Sequence, residues 1–247
     1  MKLQLTGRNT DRIGAVLNAF DCVEITDDSP ELIVVHGGDG ALLGAEREFP
    51  GIPKLPFRTS ASVPLCPVHS SFADLFQCYL DGVLAKTELM KLAGAAPGAR
   101  QLVGINDVFI HNLDRVGAIR YRVWIDGHPY GHEIIGDGVG VATVHGSTAY
   151  YRSITHSIFK IGIGLAFSNS TEVTNHLVLP DDTEIMVEIT RGPAVMVADN
   201  SPEACTLAEG DRVKITKIPE TAVVYGLNEF MCDACRRLRH GKDYGHE

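Results

Sequence analysis

The chain has 247 residues, with 31 acidic against 22 basic side chains, a net charge of −9, 45% apolar residues and 7% aromatics. This profile excludes disorder and a collagen-like chain, and it suits one large domain or two modest ones that fold without covalent staples. The acidic balance argues against a general grip on nucleic acid, and the one dense basic cluster, Arg236-Arg237-Leu238-Arg239, reads as a solvated helix end.

No stretch approaches eighteen apolar residues, and Met1 to Leu5 lacks the apolar core of a signal peptide, so a cytoplasmic protein without membrane attachment is expected. The cysteines Cys22, Cys66, Cys78, Cys205, Cys232 and Cys235 are spread thinly along a chain that needs no disulfides, and reduced thiols are expected. In chain order, Lys2 to Leu5 suits a short strand. Asn9 or Thr10 can cap a helix whose Ile13, Val16, Leu17 and Phe20 form one stripe. Cys22 to Ile25 suits a second strand and Asp27-Asp28-Ser29-Pro30 a turn. Leu32-Ile33-Val34-Val35 is a continuous apolar run of the kind found inside a parallel sheet. Gly37-Gly38-Asp39-Gly40 follows, then the helical Ala41 to Arg47, a Pro-rich connection from Pro50 to Pro67, and a helix carrying Phe72, Leu75, Phe76, Tyr79, Leu80 and Val83. The expectation for residues 1–88 is a small Rossmann-like α/β domain.

Beyond residue 88 the period becomes alternating. Tyr121, Val123 and Ile125 share one face against Arg120, Arg122 and Trp124, and Asp126-Gly127 supplies a hairpin turn before a return strand near Ile134. Ile185, Val187 and Ile189 alternate again, as do Val213 and Ile215 after Glu209-Gly210-Asp211. Residues 89–226 are therefore expected to form a β-rich, sandwich-like domain, and residues 227–247 a C-terminal helix that packs back on the first domain. The fold class expected is α/β plus β.

Strand, Gly-Gly-Asp-Gly, helix is a phosphate-facing arrangement, because glycines let backbone N–H groups approach an oxyanion at the positive end of the following helix. Its plainer alternative is a tight turn with a capping aspartate. A second feature lies at Gly136-Asp137-Gly138-Val139-Gly140-Val141-Ala142-Thr143-Val144-His145-Gly146-Ser147-Thr148-Ala149-Tyr150. With the Gly37 to Gly40 turn, Asn106-Asp107 and the later Ala198-Asp199-Asn200, this stretch closely resembles the motifs of the NAD kinase family in order and spacing. The resemblance runs from about Leu32 to the end of the chain.

That resemblance implies transfer of the terminal phosphoryl group of ATP, or of polyphosphate, to the 2′-hydroxyl of the adenosine ribose of NAD. It also implies an α/β domain, a β-rich domain, a site in the crevice between them, Mg2+ arriving with the donor phosphates, and a homo-oligomer, dimer or tetramer. By resemblance Asp39 is the catalytic carboxylate, and Gly37, Gly38 and Gly40 shape the phosphate site. The NAD site draws on Asn106, Asp107, Asp137, His145, Gly146, Ser147, Thr148, Ala149, Tyr150 and Asp199. A ribose hydroxyl is a poor nucleophile, and a carboxylate that accepts its hydrogen bond and aims it at the phosphoryl group is what the reaction asks for. No resident protein metal site is expected.

The chain departs from the family pattern in four places. Ile52-Pro53-Lys54-Leu55-Pro56-Phe57-Arg58-Thr59 lacks the glycines of a segment that encloses the dinucleotide, Asp107 stands for glutamate, His145 for a small hydroxyl residue, and Asn200 for glycine. Arg47, Lys54 and Arg58 are the nearest candidates for neutralising donor phosphates, with solvated surface charge as the alternative for each. His36 could see phosphate but suits a strand end, and His128 and His132 suit the surface. Cys232 and Cys235, followed by His240 and His246, have gaps too short for a zinc finger and read as helix cysteines. Two rivals remain. A diacylglycerol or sphingosine lipid kinase shares the first glycine-rich turn, but the Gly146 to Tyr150 stretch and the lack of an apolar docking segment argue against it. The other is a pyridine-nucleotide-binding protein without turnover.

Overall fold

The apolar run at Leu32 serves two faces at once, and that explains its continuity. In the computed structural model, which describes residues 1–58, 71–114 and 116–232, these residues form β3 of a unit made of Met1–Glu88 and the chain from Ala222 on. The unit contains β1 (Lys2–Gly7), α1 (Thr10–Leu17), β2 (Glu24–Ile25), β3 (Leu32–His36), α2 (Asp39–Glu48), β4 (Lys54–Phe57) and α3 (Phe72–Leu80). Its strands run parallel in the order β2, β1, β3, β4. Leu32 and Val34 pack with Ile13, Leu17 and Phe76 of α1 and α3, while Ile33 and Val35 pack with Ala45 of α2. A strand between helices on both sides has no solvent face, so alternation disappears.

Several local details differ from expectation. Asn9 occupies the N-cap position of α1 in a left-handed conformation (φ 51°), and its side chain makes no capping bond. The helix ends at Leu17, so Phe20 reaches the core from the following turn, with its ring edge-on to Phe76 at 5.0 Å. Only Glu24 and Ile25 of the expected Cys22 to Ile25 strand pair with β1. α3 is capped by Ser71, whose hydroxyl oxygen accepts from the Asp74 N–H at 3.2 Å, and it stops before Val83, which is exposed.

The second unit, Leu89–Thr221, is β-rich, and the division falls after Thr221 rather than after residue 226. Its strands are β5 (Lys86–Ala95), β6 (Leu102–Gly104), β7 (Asp107–Asn112), β8 (Ile119–Ile125), β9 (His128–Ala142), β10 (Ile163–Ser170), β11 (His176–Leu179), β12 (Ile185–Arg191), β13 (Ala194–Ala198), β14 (Ala204–Leu207) and β15 (Arg212–Tyr225), with α4 (Tyr150–Thr155) after β9. Asp126 and Gly127 both have positive φ, the conformation that matches the twist of a two-residue hairpin, and they return β8 into β9. The first half of β9 pairs with β8. Its second half pairs with both β7 and β10, so the strands form one hydrogen-bonded network rather than two separately paired sheets. Inward residues of β7, β8, β9, β12 and β15, among them Val108, Tyr121, Val139, Val187 and Val213, make one core.

The end of β15 belongs to the first unit, where Val224 pairs with Lys54, and α5 (Leu227–Phe230) follows. Only these four residues of the expected C-terminal helix are helical among the described residues. Cys66, Cys235, Arg236, Arg237, Arg239, His240 and His246 lie outside the described residues.

Candidate functional site

In the first unit the glycine-rich turn is a helix start. Gly38 is the N-cap of α2, and Asp39 and Gly40 are its first helical residues, so Asp39 lies inside the first turn and is not the cap. Gly37 is dictated by packing, because a Cβ there would stand 2.6 Å from the Ala41 Cβ; a Cβ on Gly38 would meet none of the described residues within 4 Å. Gly38 thus leaves open space in front of a helix N-terminus, where backbone amides and the helix dipole favour an anion.

The Asp39 carboxylate pairs with the Arg58 guanidinium, Nη2 donating to Oδ1; the Arg58 side chain is 2% exposed and that of Asp39 34%. The guanidinium lies over the Phe230 ring, 4.2 Å from its centroid. Surface charge, the alternative for Arg58 and Lys54, is overturned for both. Arg58 leaves the buried end of β4, and Lys54 is wholly buried, where its ammonium pairs with Glu46 and donates to the Phe49 carbonyl at 2.6 Å. Lys54 ties the end of α2 to β4 and does not face a phosphate site. Arg47 is exposed. His36 is buried, its Nδ1 bonded to the Arg8 carbonyl and its ring stacked on Phe57, in keeping with a strand-end histidine. The glycine-poor stretch after residue 52 forms β4, every residue of it buried.

In the second unit, Asp199 organises the loop before β7. Its carboxylate accepts the backbone N–H groups of Ile105 (2.8 Å), Asn106 (2.7 Å) and Asp107 (3.2 Å), and its own N–H donates to the Asp107 carbonyl. Asp199 is therefore a scaffold for Asn106. It adopts the left-handed conformation (φ 49°), whereas Asn200 is not among the residues of positive φ, so the backbone does not demand a glycine at 200. Thr143 closes the loop from the other side: its N–H donates to the Asn106 carbonyl, its hydroxyl donates to the Ile105 carbonyl, and the same Thr143 hydroxyl oxygen accepts from the Gly146 N–H. The Asn106 side chain is half-buried and makes no hydrogen bond to the described residues.

Gly146 to Thr148 form a 3-10 turn against this loop. The Ser147 hydroxyl is buried and donates to the carbonyls of Val144 and Phe159, so it shapes the turn from within. Thr148 and Ala149 are half-buried, and Tyr150 is 41% exposed, its ring edge-on to Phe109 at 4.9 Å and tilted against His111 at 5.4 Å. Phe109 and His111 belong to none of the sequence motifs, although their i, i+2 spacing in Val-Phe-Ile-His places them on one face of a strand. Burial pushes the His111 imidazole below its ordinary pKa. His145 is half-buried at the start of the same turn. Asp107 is buried, and burial together with the adjacent Asp199 charge pushes its carboxyl up to about 7.

Asp137 lies on β9 beside Gly138, which pairs with His111, and its carboxylate accepts from the Asn169 amide at 2.8 Å; Asp107 pairs with Ala142, five positions further along the same strand. Among the described residues no three His, Cys, Asp or Glu side chains are grouped to hold a metal. The cysteines Cys22, Cys78 and Cys205 are free thiols. No helix among the described residues is long and apolar enough to cross a membrane.

A helix start with a carboxylate beside backbone amides suits phosphate chemistry, and a turn with an amide and an aromatic ring suits a nucleotide, features in keeping with the phosphotransferase class. Curated relatives agree with that class. The NAD kinase of Alcanivorax borkumensis is 30% identical over 202 residues, 76% of this chain and 67% of the relative, and that of Bordetella avium is 29% identical over 216 residues, 79% and 70%. The chain belongs to the NAD kinase family. In fold it is similar to yeast NADH kinase complexed with NADH, with a TM-score of 0.81 at 16% identity covering 99% of this chain and 89% of the other. It is also similar to an NAD kinase from Archaeoglobus fulgidus in complex with ATP, with a TM-score of 0.76 at 19% identity covering 96% and 99%. No protein-family model matches the chain.

Proposed function

We propose that this protein is an NAD kinase, which transfers the terminal phosphoryl group of ATP to the 2′-hydroxyl of the adenosine ribose of NAD and releases NADP and ADP. The observation that carries the reading is the Asp39 carboxylate, one-third exposed in the first turn of α2 and held by a buried arginine, in a chain of this family. Asp39 accepts the hydrogen bond of the ribose hydroxyl and aims its oxygen at the terminal phosphorus. As the new O–P bond forms and the bond to the leaving ADP oxygen breaks, the hydroxyl proton passes to the carboxylate. The α2 amides and the space above Gly38 receive donor phosphate oxygens.

On the acceptor side, the unbonded Asn106 amide offers both a donor and an acceptor to a ribose edge or a carboxamide. Thr148, Ala149 and the Tyr150 ring supply the adjoining surface, while Gly146, Ser147 and Asp199 hold it in shape. Magnesium would be carried on the donor phosphates and would neutralise charge there, keeping much of its water and asking for few protein carboxylates. The same reading carries polyphosphate as an alternative donor, cytoplasmic residence, and assembly into a dimer or tetramer. The deciding assay incubates purified protein with NAD, ATP and magnesium: NADP is expected, and tight NAD binding without NADP would leave a nucleotide-binding protein in place of an enzyme.

A further inference from the structure

Arg58 carries more than a surface cation needs to. A buried guanidinium is costly unless charge and hydrogen bonds compensate it. Here the compensation comes from the Asp39 carboxylate on one side and the Phe230 ring on the other, and the buried Nε–H finds no acceptor among the described residues. Each partner is in turn held. Asp39 is fixed to the first turn of α2. Phe230, itself buried, is carried by a segment pinned at several points: the Tyr225 ring stands edge-on to Tyr79 at 5.1 Å, the Gly226 N–H donates to the Ala85 carbonyl, and the Phe230 N–H donates to the Gly226 carbonyl. Three stretches far apart in the chain thus meet at one guanidinium.

We propose that Arg58, seated on the Phe230 ring, is a positioning residue that fixes the Asp39 carboxylate in the orientation that receives the ribose hydroxyl, which makes α5 part of the catalytic apparatus. The proposal rests on the NAD kinase reading. Arginine suits the task because its planar cation stacks on an aromatic face while a terminal N–H holds a carboxylate; the compact ammonium of lysine lacks that plane. Arg58 does not touch substrate in this role. Its loss therefore lowers the rate of the chemical step and leaves substrate binding alone.

The test is steady-state kinetics of full-length Arg58→Gln, Arg58→Lys, Phe230→Leu and Phe230→Tyr with NAD and magnesium-ATP, alongside melting curves. Arg58→Gln is expected to lower kcat by about tenfold or more while KM for both substrates stays within about twofold, the signature of a group that acts only in the transition state. Arg58→Lys should recover part of the loss, Phe230→Leu should lower kcat several-fold, and Phe230→Tyr, which keeps the ring, should retain more of kcat than Phe230→Leu. Wild-type kcat in Arg58→Gln, or a loss confined to KM, overturns the positioning role. If Arg58→Gln does not fold, Arg58→Lys and Phe230→Leu decide in its place: wild-type kcat in both overturns the role. A wild-type protein that makes no NADP overturns the activity itself, a result separate from any of these.

Discussion

Gly146 and Asn106 approach each other more closely than any side chain permits: a Cβ on Gly146 would overlap the Asn106 carbonyl and come within 2.7 Å of its Cα. The neighbour is backbone held by Asp199 and Thr143, so it cannot swing aside. Gly146→Ala is expected to displace the Asn106 loop, lowering stability by about 2 kcal/mol or more and weakening NAD binding by about tenfold or more. Denaturant unfolding and calorimetry measure the two effects, and wild-type values for both would show that the loop yields freely.

Asp39→Asn keeps the shape and the acceptor oxygen that Arg58 uses, but an amide cannot take the ribose proton. Turnover should fall by about a hundredfold or more, the usual range for a lost general base, with NAD affinity unchanged within about twofold. Product formation and calorimetry on the same preparation check both halves. Undiminished turnover would remove Asp39 from the chemistry.

Tyr150 presents its ring, braced by Phe109 and His111, and its hydroxyl makes no hydrogen bond to the described residues. The ring therefore does the binding in this reading. Tyr150→Phe should keep KM for NAD within about twofold, whereas Tyr150→Ala should raise it by about tenfold through loss of a stacked face of order 1–2 kcal/mol. A Tyr150→Phe variant as impaired as Tyr150→Ala would transfer the role to the hydroxyl.

What could be read from the sequence was local. Leu32 to Val35 announced a buried parallel strand, and Gly37 to Gly40 a turn into a helix, because both depend on neighbours a few residues away. Asp39 and the Gly146 turn were legible as motifs. Arg58 was legible only as a cation near the turn: its pairing with Asp39, 19 residues earlier, and with Phe230 at the far end of the chain is encoded by no periodicity. Asp199 was read as a ligand contact, yet its carboxylate is engaged by backbone 92 to 94 residues away. Local pattern indicates where a strand ends; it does not say which distant N–H groups an aspartate will satisfy.

Asp107 gives the fold a pH dependence of unusual sign for a carboxylate. Burial and the neighbouring Asp199 push its folded-state pKa to about 7, above the ordinary aspartate value of 3.8, so between those values the folded state holds a proton that the unfolded chain releases. Stability therefore falls as pH rises from about 4 through about 7, and above that the buried charge is a standing cost of order 4 kcal/mol at most. Asp107→Asn, similar in shape and never charged, should remove this component. The variant should be more stable than the wild type at about pH 8, and the gap should close as pH falls through the window and vanish near pH 4. Urea unfolding of both proteins across this range measures the difference directly, so that contributions from other groups cancel. A pH-independent gap would mean that Asp107 stays ionised in the folded protein, with its charge compensated by the backbone around it.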